Sequence, residues 1–189
     1  MHNEPPLSLE DLRARAARGE RLRYLYFWGH RARRDGVPGP GCLSQWWPSA
    51  FTVAGERYAT AEHWMMAGKA RLFGDIEAAE RILATAEPGA AKRLGRGVRG
   101  FDDEVWRERR FGIVVRGSVH KFGQNPEIGA YLRRTAARVL VEASPLDPVW
   151  GIGLAAGDER AADPALWPGE NLLGFALMRA RAELAAAAG

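Results

Sequence analysis

The chain has 189 residues, with 27 basic and 23 acidic side chains, a net charge of +4, 47% hydrophobic residues and a single cysteine, Cys42. That length suits one domain with its own core, and the balance of apolar and charged residues excludes general disorder and a membrane-embedded body. The lone cysteine excludes an internal disulfide, and the modest basic excess is compatible with an anionic partner without naming one.

In chain order, Ser8 and Asp11 form an S-x-x-D start for a helix over about residues 9–18, with Gly19 as its stop; its many arginines place it on the surface. No apolar core or small-residue cleavage site precedes it, and no run reaches the ~18 apolar residues of a spanning helix, so a cytoplasmic protein is expected. YLYFWGH reads as a strand ending at Gly29, and the Gly/Pro-rich segment 31–41 as a mobile loop. PSAFTVAGERYA reads as a hairpin turning at Ala54-Gly55, after which Thr60 caps a helix. Asp75 starts another helix, which Pro88-Gly89 ends, and AAKRLGRGVRG is a short basic segment. Asp102 caps a longer helix through Phe122, and Asn125-Pro126 opens one to about Ala137. Val139 to Ala143 suits a buried strand, SPLDPVWGIGL a loop, and Asn171 caps a final amphipathic helix. Helices outnumber strands without βαβ alternation, which points to an α+β fold.

GIGLAA at 151–156 matches the loosest dinucleotide fingerprint, but no strand precedes it and no long helix follows, so a Rossmann site is rejected. Its glycines can still let backbone N–H groups approach a ligand oxygen. The histidines at 2, 30, 63 and 120 have no ligand spacing, so no metal is expected.

The helix in TAEHWMMAGKARLFGD carries more. Glu62, Met65, Met66, Lys69 and Phe73 share one helical face, so a carboxylate and an amine lie among large apolar groups. Either the two polar groups are solvated at the edge of an apolar stripe, or they enter a partly dry cleft where burial and mutual charge shift their protonation. Only Lys69, Lys92 and Lys121 are lysines, against 24 arginines. Each lysine is thus either an ordinary retained cation or a group whose task needs an amine that can lose its proton. Seven tryptophans invite the same pair of readings, core packing or stacking on a planar ligand, for Trp28, Trp106, Trp150 and Trp167.

Six ordered segments resemble the NADAR (YbiA-like) family: YFWGH, LSQWWPSAFTVAGERYATAEHWMMAGKARLFGD, AAKRLGRGVRGFDDEVWRERR, KFGQNPEI, LVEASPLDPVWGIGL and WPGENLLGFALMRAR. The resemblance implies one compact helix-rich α+β domain with a small β component over residues 24–184, leaving an N-terminal extension at 1–23 and a tail at 185–189. It implies an N-glycosidase without cofactor that cleaves ribose C1 from an exocyclic amine. Its partner would be a phosphorylated ribosyl or ADP-ribosyl substrate: a ribosylated aminopyrimidine of riboflavin synthesis, or ADP-ribosylated guanine in DNA or RNA. By the same resemblance Glu62 is the acid/base or oxocarbenium-stabilising group, Lys69 an imine-forming amine, and Asp147 a second carboxylate that orients a ribose hydroxyl or activates water. Trp106 is a stacking wall, Trp150 a further stacking candidate, Trp28 and Gly29 line the entrance, and Arg96 and Asn171 contact phosphate and sugar. The family commonly has L-S-N where this chain has Leu43-Ser44-Gln45, a change that bears on substrate choice. A non-catalytic module binding ADP-ribose or a related nucleotide is the alternative that the same residues allow.

Overall fold

The computed structural model describes residues 6 and 8–187; His2 and the end of the alanine tail lie outside them. The class is α+β, with seven α-helices and four short strands among the described residues. None of these helices is long and apolar enough to cross a membrane. By its internal contacts the chain divides into two units, one running to Ser44 and resuming at Ala130, the other spanning Gln45–Gly129.

In the first unit, α1 (Leu9–Ala17) starts as the S-x-x-D pattern predicts, with Ser8 Oγ accepting from the Asp11 N–H at 3.1 Å. It is not wholly superficial: Leu12 is buried, and Arg13 donates to the carbonyls of Pro164 and Trp167. The aromatic run forms β1 (Tyr24–Phe27) and the apolar run β4 (Val139–Glu142), which pair in parallel with Tyr24 opposite Val139 and Phe27 opposite Glu142. Part of segment 31–41 is regular, since a 3-10 turn begins at Pro40.

The last helix, α7 (Leu172–Ala186), differs from the expected amphipathic helix. Leu173 through Met178 are buried without interruption, because the start of α7 lies directly on β4; a Cβ on Gly174 would collide with the Leu140 carbonyl. Asn171 does stand at its N-cap position but in the left-handed region, φ 55°, and its side chain does not cap. Oδ1 accepts from the Glu142 N–H and Nδ2 donates to the Leu140 carbonyl, both at 2.9 Å, so the side chain extends the β4 edge instead.

In the second unit, β2 (Phe51–Val53) and β3 (Glu56–Tyr58) form the expected hairpin. Ala54 and Gly55 both have positive φ, 51° and 84°, the geometry of a two-residue primed turn. Four helices follow: α2 (Ala61–Leu72), α3 (Ile76–Ala84), α4 (Pro88–Arg96) and α5 (Asp103–Gln124). Asp75 and Asp102 cap α3 and α5 as predicted, accepting from the N–H groups of Ala78 and Val105. Two expectations fail. Pro88 does not merely end a helix but opens α4 at its first position, where the missing N–H would be unpartnered anyway, so the basic segment is helical. Thr60 stands at the N-cap of α2 without a capping bond, because its hydroxyl pairs with His63. α6 (Pro126–Arg134) runs across the boundary between the units and stops short of Ala137, since Ala136 turns to φ 49°.

Candidate active site

Within the second unit, α2 puts its polar groups where helical spacing predicts. Glu62, in the first turn, is 2% exposed, and its N–H donates to the Gln45 carbonyl at 3.0 Å. The position that departs from the family's L-S-N pattern therefore bonds directly to the backbone of the candidate carboxylate. His63 is 1% exposed. Its Nε2 lies 3.0 Å from the Thr85 carbonyl and must carry the proton, leaving Nδ1 to accept from Thr60 Oγ1 at 2.8 Å. Burial holds this imidazole below its ordinary value of 6.5, so it is a neutral bolt between α2 and the end of α3.

Lys69 lies two turns beyond Glu62, about 10.5 Å along the helix axis. Its Nζ donates to the Gly95 carbonyl at 2.9 Å and sits 4.1 Å from the ring centre of Phe101 and 5.7 Å from that of Trp106. Burial is the main influence on this amine and lowers it from 10.5, with the charge of Asp103 opposing the shift. Of the two readings that the sequence left open, burial of the amine is the feature seen, and the charge that acts on it is that of Asp103 in the first turn of α5. Gly95 allows this arrangement because α4 crosses Met66 so closely that a Cβ there would strike the thioether. Arg96 follows it in the chain and is exposed.

The other face of α2 lines a cleft of about 670 Å3 with α5, bordered by Trp64, Arg71, Val105, Arg109, Ile113 and Arg116. Neither Glu62 nor Lys69 borders it, so this concavity is distinct from the face that the sequence singled out.

The remaining candidates belong to the first unit. Trp28 is 59% exposed, and Gly29 takes φ 71°, which ends β1 where YLYFWGH predicts. Asp147 uses Oδ1 to accept from the N–H groups of Val149 and Trp150 at 3.0 and 2.8 Å, pinning the turn that carries half-buried Trp150. Asn171 is 0% exposed. With its carboxamide bonded to β4, it has no exposed atom with which to make the sugar contact expected of it. The glycines of GIGLAA serve the scaffold too. The Gly151 N–H donates to the Asp147 carbonyl, and a Cβ on Gly151 would press to 2.8 Å from the Glu142 carbonyl. Among the described residues no group of three His, Cys, Asp or Glu could hold a metal ion.

These side chains stand in a recognisable frame, since the NADAR domain model matches residues 26–185. The chain belongs to the NADAR family. It is 40% identical over 166 residues to "N-glycosidase R617" of Acanthamoeba polyphaga mimivirus, covering 85% of this chain and 96% of that protein. It is 31% identical over 139 residues to "N-glycosidase YbiA" of Escherichia coli, covering 74% and 77%. The NMR structure of Escherichia coli YbiA matches with a TM-score of 0.68 at 26% identity over 89% of each chain. A match at 31% identity to "Riboflavin biosynthesis protein VVA0006" of Vibrio vulnificus covers 76% of this chain and 35% of that longer protein. This NADAR chain is an enzyme of the N-glycosidase class.

Within the NADAR frame, sequence reasoning missed Phe101 and Asp103 beside Lys69. Phe101 sits in a connection after Gly100, outside any periodic pattern that could tie it to α2. No sequence signal tied them to the amine; in the structure all three lysine amines lie over aromatic rings, Lys92 over Trp46 at 6.0 Å and Lys121 over Phe122 at 4.8 Å.

Proposed function

We propose that this N-glycosidase cleaves the bond between C1 of a ribose and an exocyclic amine, with the Glu62/Lys69 face of α2 carrying the chemistry. The observation that carries the reading is the half-buried amine of Lys69, held by one carbonyl and two aromatic rings on the same helical face as a buried carboxylate. Burial favours the neutral amine, the form that can attack carbon.

The bonds can be followed through the reaction. Protonation of the ring oxygen opens the ribosylamine to an iminium, in which C1 is doubly bonded to the exocyclic nitrogen. The Lys69 lone pair adds to C1, and the C1–N bond to the base then breaks with its electron pair leaving on the nitrogen, which takes a proton. Water adds to the resulting lysine imine and releases the sugar aldehyde, restoring the amine. Glu62 supplies and recovers the proton as acid and base, a role worth about 10²–10⁴ in rate. Trp106 and Phe101 wall the amine, and Arg96 offers a planar fork for a substrate phosphate. Asp147, Trp28, Gly29 and Trp150 belong to the first unit and take only the roles that the resemblance implies, Asp147 with Oδ2 for a ribose hydroxyl or water and the others as ligand contacts. Asn171 positions β4 rather than touching sugar.

Two substrates share this bond, ribosylated aminopyrimidines and ADP-ribosylated guanine in a nucleic acid. The name of the Vibrio vulnificus relative supports the first. Exposed Arg93 and Arg96 on α4 support the second, because no carboxylate among the described residues pairs with them, whereas Arg99 is bound to Asp75 and Glu77. Incubation with each substrate, followed by mass spectrometry of released base and sugar, tests the activity. Release from neither would overturn the reading. If the nucleic acid is the substrate, Arg93→Ser with Arg96→Ser lowers turnover of the oligonucleotide far more than of the free nucleoside, and salt mimics the effect. Equal losses on both substrates would rule out strand recognition by these arginines.

A further inference from the structure

Within the first unit, a cavity of about 310 Å3 is lined by Arg15, Arg21, Arg23, Arg134 and Arg138 together with Thr135. We propose that this cavity is a binding pocket for a phosphate-class anion, separate from the residues assigned to hydrolysis.

The charge balance carries the inference. Arg15 has its own counterion, donating from Nε to Glu20 at 2.8 Å. Arg138 donates only to carbonyls, those of Thr135 and Arg134, both at 3.2 Å. Among the described residues no carboxylate lies within ion-pair distance of Arg21, Arg23, Arg134 or Arg138. Behind this wall Arg181 is 8% exposed, and its Nη1 donates to Thr135 Oγ1 and to the Arg138 carbonyl. Burial first, and then the charge of Arg138, push Arg181 down to about 10, so it is still a cation at neutral pH and adds to the field. Elsewhere in this chain arginines pair readily with acids, as Arg33 does with Asp35 and Arg160 with Asp158. Arg21, Arg23, Arg134 and Arg138 instead border one concavity with no carboxylate partner among the described residues, and a bound anion there would supply the missing counter-charge. Guanidinium forks match two oxygens of one phosphate, which favours that class over a carboxylate or halide.

The construction is specific. One wall consists of Pro6, Arg15 and residues 21–23, ahead of the segment 26–185 that matches the family domain, and the other is the turn at 134–138. In that turn Ala136 is held at φ 49°, a conformation costly for a residue with a Cβ and maintained by the Ala136 N–H bond to the Arg133 carbonyl. The volume is at the small end for ligand pockets, so it suits an inorganic phosphate or pyrophosphate, or one phosphate of a strand.

Calorimetric titration of the whole protein at constant ionic strength, in a chloride buffer, with pyrophosphate and separately with a single-stranded DNA oligonucleotide, tests the pocket. Pyrophosphate binding that weakens at least tenfold in Arg21→Ser/Arg134→Ser, while Glu62→Gln binds as wild type, supports a free-phosphate ligand. Oligonucleotide binding alone, weakened equally, supports a phosphate presented on a strand. Binding of neither probe, or binding unchanged by the double substitution, overturns the proposal. If the double variant does not fold, Arg23→Gln with the same titrations decides, a loss of affinity supporting the pocket and unchanged affinity refuting it.

Discussion

Helix α2 and the connection from Ser144 to Asn171 hold most of the residues that sequence reading singled out, and they use them in opposite ways. In α2 most backbone groups are satisfied within the helix, so the side chains of Glu62 and Lys69 are not needed to hold its own backbone, and the helix places both on one face. In the connection there is no such ladder, and side chains supply the missing partners: Asp147 binds two backbone N–H groups, Asp158 and Asp163 bind those of Arg160 and Ala165, and Asn171 bonds the edge of β4. Polar residues in an irregular segment are therefore first accounted for by its backbone. Those on a well-formed helix, buried among apolar neighbours, need another explanation.

The contrast can be broken first at Glu62. Glu62→Gln keeps the shape and removes the charge; turnover is expected to fall by about 10²–10⁴, with a melting temperature close to that of the wild type. Turnover near wild type would end the assignment. Asn171→Ala should do the reverse. It leaves the Glu142 N–H and Leu140 carbonyl unpartnered and should lose about 2–6 kcal/mol in urea unfolding, at about 1–3 kcal/mol for each buried group. A loss below 1 kcal/mol would show that the carboxamide is not the strut described.

Asp147→Asn sharpens the boundary between the two uses. The amide oxygen can still accept from Val149 and Trp150, so the melting temperature should move by no more than about 2 °C. Turnover should nevertheless drop about 10–100-fold if the carboxylate acts on the ribose or water. Unchanged turnover would make Asp147 scaffold alone.

The smallest effect concerns His63. Its folded value lies below the ordinary 6.5, so the unfolded chain binds more protons as pH falls. Its contribution is complete above about pH 6.5 and declines on acidification. Asp75, held down to about 2 chiefly by the Arg99 guanidinium, keeps its own contribution above its usual carboxylate value and loses it only as pH falls towards 2. Urea unfolding at pH 7.5 and pH 5.0 therefore isolates the imidazole: the wild type should lose stability between them, and His63→Gln should lose less. Equal losses would remove His63 as the source.

Local grammar made much of this legible. Ser8, Asp75 and Asp102 cap where their spacing says, and the Ala54-Gly55 turn follows from its residues. The ordered segments pointed to the family, and 3.6-residue periodicity put Glu62 and Lys69 on one face. Long-range pairing was not legible. The parallel match of β1 to β4 joins residues more than a hundred positions apart, and it is this partner that buries the start of α7 and takes the side chain of Asn171. Thr60 and Pro88 misled for a related reason, since a residue type suited to a cap or a stop also suits a buried hydroxyl pair or a first helical position. Phe101 and Asp103 reach Lys69 only through the crossing of helices, which no periodicity records.

Borohydride trapping tests the central claim most directly. With substrate present, reduction should fix the sugar to the peptide containing Lys69, seen as a mass increase in the wild type and absent in Lys69→Ala. An active enzyme that yields no adduct at Lys69 under these conditions would contradict the amine's role and leave it as the cation that tethers α2 to α4.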